Sequence, residues 1–120
     1  MTFLKFNILA LLMTTSLAST YKLNLEINHS GNKKSYKNIK IKDGEKTVLD
    51  FNGQQAVIGL ISDKSIDDEA LKFNFALKSK KKNQKPLDAE ILMFVGDQAE
   101  FETVDNKSKE SLNIIVEASE

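Results

Sequence analysis

Apolar and polar residues alternate along most of the chain after residue 20. In "YKLNLEIN", Tyr21, Leu23, Leu25 and Ile27 fall on one side, and Lys22, Asn24, Glu26 and Asn28 on the other. A period of two is what a strand with one wet face imposes. "KNIKIK" alternates through Ile39 and Ile41, while Tyr36 falls on the opposite parity, where a bulge or the start of the strand is expected. "EKTVLDF", "QQAVIGLI" and "ALKFNFALK" follow, the last with Leu71, Phe73, Phe75 and Leu77 on one face. "LDAEILMFV", "QAEFETV" and "SLNIIVEA" complete eight candidate strands, with no long helix among them.

The punctuation between these segments sharpens the reading. Asp43-Gly44 and Asn52-Gly53 are dipeptides suited to type I′ hairpins, whose two central residues need positive φ. They predict a three-strand meander from about Ser35 to Ile61. Gly96-Asp97 suits a type II′ turn, so "KDGEKTVL" and "VGDQAEF" make the same gesture twice: apolar strand, glycine turn, acid, return. Two hairpins of one design account for that without common descent. A single helical turn capped by Ser65 fits "SDKSIDDE", and Pro86, the only proline, fits the entrance of a strand. No linker divides the chain, so residues 19–120 are expected to form one all-β domain. The strand and turn spacing predicts an antiparallel β-sandwich of about seven to eight strands, with a small up-and-down barrel as the alternative.

The first 18 residues follow a different pattern. Lys5 precedes an apolar run from Phe6 to Met13, and small residues Ser16, Leu17 and Ala18 follow. That layout predicts a signal peptide cleaved between Ala18 and Ser19 and a protein that is periplasmic or secreted. The run is shorter than the about 20 residues of a membrane span, so no transmembrane segment is expected. Exported domains of this size often carry disulfides, but the chain has no Cys, and burial alone must hold it together.

Charge and candidate chemistry narrow the function. Lysine supplies all 17 basic residues, against 17 acidic ones. A neutral chain without Arg lacks the bidentate phosphate donors of a nucleic-acid binder. The one histidine, His29, falls in a turn and reads as a solvated loop residue. Asp67, Asp68 and Glu69 lack the spacing of a calcium loop, and no pair of carboxylates is singled out for hydrolysis. The expectation is a protein that is not an enzyme, with no cofactor and no metal. Asn28-His29-Ser30 and Asn106-Lys107-Ser108 are glycosylation sequons that matter only in a eukaryotic secretory pathway.

Two features point to interaction. "KSKKKNQK" concentrates Lys78, Lys80, Lys81, Lys82 and Lys85 in one loop, which reads as a solvated hairpin tip or as a patch for anionic surfaces. "LDAEILMFV" is apolar on both faces: Leu87, Ala89, Ile91, Met93 and Val95 on one, Leu92 and Phe94 on the other. On what reads as a central strand, either another segment covers Leu92 and Phe94 or that face meets a partner. "AVIGLI" is two-sided in the same way. The stretch "ILMFVGDQAEFE" (residues 91–102) resembles a β-hairpin of the bacterial secretins, through Gln98, Ala99 and Phe101. That resemblance implies a hairpin in an exported bacterial protein, without the family's pore. The expected function is a non-enzymatic interaction or binding module of the bacterial envelope, with another envelope or secreted protein as partner. The alternative is a small secreted inhibitor or ligand-binding protein acting on an envelope enzyme or anionic surface.

Overall fold

In the computed structural model, residues 19–78, 87–107 and 109–120 are described. They form eight strands: β1 (Thr20–His29), β2 (Asn32–Lys42), β3 (Lys46–Phe51), β4 (Gln54–Ser62), β5 (Ala70–Leu77), β6 (Leu87–Phe94), β7 (Gln98–Val104) and β8 (Ser111–Ser119). Each coincides closely with an alternating segment of the sequence, because period-two patterning leaves one face to bury and one to wet. The strands make two four-stranded antiparallel sheets, sheet A in the order β2-β1-β8-β7 and sheet B in the order β3-β4-β5-β6.

The architecture is the expected sandwich, with the connectivity of the alternative. Except at β2/β3 and β6/β7, every strand pairs with its successor in the chain, and β8 closes on β1, with Leu25 opposite Val116 and Ile27 opposite Ile114. That is the path of an up-and-down barrel whose wall is unzipped at two seams, β2/β3 and β6/β7. At the first seam side chains replace the ladder. Tyr36 donates its hydroxyl, and Lys34 its ammonium at 3.3 Å, to the Asp50 carbonyl of β3.

The predicted meander is therefore corrected. Asn52-Gly53 does turn a hairpin between β3 and β4, with both residues at positive φ (52° and 82°). Asp43-Gly44 instead turns the chain out of sheet A into sheet B, and Val95-Gly96 turns it back. In each corner only the glycine has positive φ, 86° and 90°, and the amide after it closes on the carbonyl three residues earlier. That is a type II turn, not the I′ and II′ turns the dipeptides suggested. Residues 91–102 are accordingly a corner joining two sheets, not the hairpin that the secretin resemblance implied.

The two corners share their hydrogen bonds as well. Asp43 N donates to Ser19 O and Val95 N to Glu69 O, each just before the strand that pairs with the one being left. Gly44 N donates to Leu60 O and Gly96 N to Ala118 O, each in the sheet being joined. Replacing β1–β4 by β5–β8, and the reverse, converts one sheet order into the other. The repeated gesture of the sequence is thus one corner used twice in a pseudo-two-fold arrangement. Among the described residues only the first has a clamp: the Asp43 carboxylate accepts from the Ser62 amide (2.8 Å) and hydroxyl (2.6 Å).

The inner faces meet in a core of Leu23, Ile27, Phe51, Ile58, Leu60, Phe73, Leu112 and Ile114, among others, with no buried polar side chain among the described residues. Tyr36 joins it through a bulge. Between Leu23↔Ile39 and Leu25↔Tyr36, β2 spends an extra residue, with Asn38 at φ 57° and its amide held by Asn24 Oδ1. The extra residue resets the parity, so Tyr36, Ile39 and Ile41 all point inward, as the parity break implied.

Candidate functional site

The outer faces of the two sheets differ in chemistry. On sheet A the outward positions of β1, β2 and β7 include Lys22, Asn24, Glu26, Lys40, Lys42, Glu100 and Glu102. They also include one exposed apolar residue, Val104 (56%), whereas sheet B exposes four, Val48 (57%), Ile61 (47%), Leu92 (48%) and Phe94 (38%), among Lys46, Asp50, Asp88 and Glu90.

Cross-strand register assembles these into a face. Val48 of β3 is opposite Val57 of β4, which is opposite Ala76 of β5. Two rows further along, Ile61 and Leu92 flank Lys72. The Lys72 ammonium is 3.4 Å from Asp63 in the loop after β4, so its charge is engaged by that carboxylate. Phe94 is opposite Ala70, whose small side chain leaves the ring open to solvent.

Between the two apolar groups lies a shallow depression of about 470 Å³, bordered by Lys46, Val57, Ile61, Asn74 and Glu90. Gly59 makes it. A Cβ there would meet Lys46 Cγ at 3.4 Å and the Glu45 carbonyl at 3.6 Å, both near ordinary contact. Neither positive φ nor a close backbone requires this glycine. Glycine inside a strand weakens it and often marks a close approach from outside.

The sequence-predicted candidates fare differently. Leu92 and Phe94 are on the outer face as expected, 48% and 38% exposed. Their strand is an edge strand of sheet B, not the central strand expected. Lys78 is exposed at the end of β5, its amide bonded to Gln55 O. Lys80, Lys81, Lys82 and Lys85, with Pro86, lie outside the described residues, so the loop is not assembled here. Sequence reasoning missed Val48: "EKTVLDF" carries Thr47, Leu49 and Phe51 at regular inward positions, and one extra apolar residue looked incidental.

His29 is not a solvated loop residue. It ends β1, with Nε2 3.4 Å from Glu110 Oε2 and its ring 6.4 Å from that of Phe51. In place of the Ser65-capped helical turn, Asp63 organises its loop, accepting from the Ser65 amide and hydroxyl. The Ser65 hydrogen bond, opposed by partial desolvation and reinforced by Lys72, holds the Asp63 carboxyl below the usual carboxylate range. Burial, and then the Asp50 charge, push the Tyr36 phenol above its ordinary value. Tyr36 borders a second open depression, about 290 Å³, on the outer face of sheet A with Glu26, Ser35, Lys37 and Glu117. Among the described residues no group of three or more His, Asp and Glu side chains converges, and no helix is long and apolar enough to cross a membrane.

Fold and face together define an antiparallel sandwich whose sheet B exterior is the richer in exposed apolar side chains. The chain matches no protein-family model, no curated protein and no solved structure.

Proposed function

We propose that this is an exported, non-enzymatic binding module of the bacterial envelope, and that it engages another protein through the outer face of sheet B. One observation supports the reading above the rest. Val48, Ile61, Leu92 and Phe94 are all exposed on the outer face of sheet B, among Lys46, Asp50, Asp88 and Glu90, whereas the outer face of sheet A exposes one large apolar side chain, Val104, among its charges. Scattered surface apolar residues are ordinary, but a concentration on one face of a small domain is a mark of interaction surfaces. Half-exposed aliphatic and aromatic residues around a shallow depression suit a partner that brings its own apolar side chains. Export rests on the layout of residues 1–18. The inhibitor or ligand-binding reading rests on the lysines from Lys78 onward, and no described contact favours it.

The test is affinity capture from envelope extract, with wild-type protein and the Leu92→Ser/Phe94→Ser variant as baits. A partner recovered by the wild type should be lost with the variant, by about tenfold or more per deleted anchor. Equal capture by two folded baits would remove the face from the account. The mass of the exported protein tests the leader. Material beginning at Ser19 is expected, and material retaining Met1 would refute export by cleavage.

A further inference from the structure

The zero net charge of the chain conceals a separation. β2 carries Lys33, Lys34, Lys37, Lys40 and Lys42, all exposed, and no acid. At the other edge of the same sheet, β7 carries Glu100 and Glu102, exposed, and no base. Sheet B repeats the acidic end, since its edge strand β6 has Asp88 and Glu90 and no lysine. Among the described residues no strand lies beyond β2 or beyond β7.

Lys33, at the start of β2, is paired with Glu26 at 3.3 Å, but the charges nearer the corners are not balanced in this way. Lys40 lies directly opposite Lys22 on β1, and like charges facing across a ladder are destabilising. Among the described residues Lys40, Lys42 and Glu102 belong to no ion pair. Glu100 accepts a hydrogen bond from Asn113 at 2.8 Å.

We infer that the partner of these edges is a second copy of this chain, bound head to tail, β2 of one molecule beside β7 of the next. Strand direction permits it. All neighbours in the order β2-β1-β8-β7 are antiparallel, so β2 and β7 run in opposite senses, and a translated copy continues the sheet antiparallel. Sheet B is stacked in the same sense, and β3 and β6 also run oppositely.

Side-chain spacing selects one register. The bulge at Asn38 leaves a straight stretch from Ile39 to Lys42. Placing Lys40 opposite Glu102 and Lys42 opposite Glu100 sets both pairs on the outer face. The same register puts inward-pointing Ile41 against Phe101, which is only partly buried in the single molecule. Pairing β2 with β2 would oppose lysines, and pairing β7 with β7 would oppose glutamates. The contact is therefore heterologous, and it builds an open row or a ring, not a two-fold dimer. Edge lysines commonly discourage strand addition. Here they discourage other lysine-bearing edges and leave the acidic edges, which this chain also supplies.

Sedimentation velocity over a range of protein concentrations, at low and high salt, tests the inference. At low ionic strength the purified protein should form species larger than dimers as concentration rises. Association should weaken at least tenfold toward 0.5 M salt, where screening reaches a few Å. Lys40→Glu/Lys42→Glu and Glu100→Lys/Glu102→Lys should each be folded monomers by circular dichroism, and mixing the two should restore assembly. A carbodiimide cross-link between Lys42 and Glu100 of different molecules would establish the register. A wild-type monomer at every concentration would overturn the inference. So would assembly that survives either charge reversal, or assembly abolished by Leu92→Ser/Phe94→Ser, which would place the contact on the sheet B face.

Discussion

Replacing Gly44 or Gly96 with Ala tests whether the two corners are built as described. Both glycines have φ near +90°, and an added Cβ would meet nothing within 4 Å. Steric clash therefore adds nothing, and the cost is that of holding an L-residue in the left-handed region, about 1–2 kcal/mol. The amides survive the change, so Gly44 N still donates to Leu60 O and Gly96 N to Ala118 O. Gly59 is the internal control. Its φ is not positive, a Cβ would meet only the Lys46 stem and the Glu45 carbonyl, and a strand glycine is weaker than Ala by roughly 0.5–1 kcal/mol. Gly59→Ala should thus be neutral or stabilising wherever Lys46 yields by a few tenths of an ångström. Urea unfolding reads all three, with the m-value unchanged if only stability moves. For a domain of this size each destabilised corner should lower Tm by roughly 4–8 °C per kcal/mol. Stability unchanged by Gly96→Ala, or Gly59→Ala costing as much as the corner variants, would refute the assignment.

Three further outcomes are expected. Leu92→Ser/Phe94→Ser, on side chains already 48% and 38% exposed, should cost only about 1–3 kcal/mol of folding stability, whereas Met93→Ala on the inner face should alone cost about 2–5 kcal/mol; thermal melts that reversed this order would mean the outer face is covered. Tyr36→Phe removes the bond across the β2/β3 seam and should cost about 0.5–1.5 kcal/mol. Because the phenol is raised, its contribution is complete below the ordinary value and is lost as pH rises through the raised one, so base titration should erase the difference between wild type and variant. For Asp63 the sign is opposite: a lowered carboxyl contributes above the ordinary value of 3.8 and loses its effect as pH falls through the lowered one, and Ser65→Ala should return its titration, followed by NMR, toward that ordinary value.

Strand positions were legible because alternation is local: Tyr21 to Ile27 can bury one face in only one way. Tyr36 was informative for the same reason, since a parity break inside a strand has few physical causes. Sheet membership was not legible. A hairpin at Asn52-Gly53 and a corner at Asp43-Gly44 both need positive φ between reversing strands. What separates them is whether the next strand pairs with the last one or crosses to the facing sheet, and Gly44 finds its partner in Leu60, far along the chain. The outward direction of Leu92 and Phe94 followed from period two, whereas their exposure depends on what else crosses that face. The two-sided "AVIGLI" already pointed to Ile61, but Val48 went unread, and how the two join Leu92 is set by register, which alternation does not encode.

The closure of β8 on β1 constrains the order in which the molecule can assemble. Sheet B is one uninterrupted run of chain, β3 through β6, and each of its ladders joins sequence neighbours. Sheet A is made from two separate hairpins, β1–β2 and β7–β8, one from each end of the domain. A lone two-stranded hairpin is marginal in water, so neither half of sheet A persists by itself. Their junction, with Lys22 opposite Ser119 and His29 opposite Leu112, brings together residues from opposite ends of the domain, and that loop entropy must be met before the contact rewards it. The late event of folding is then the meeting of the ends over a preformed floor. Until β8 is available, the hairpin of β1 and β2 has no further neighbour in its own sheet.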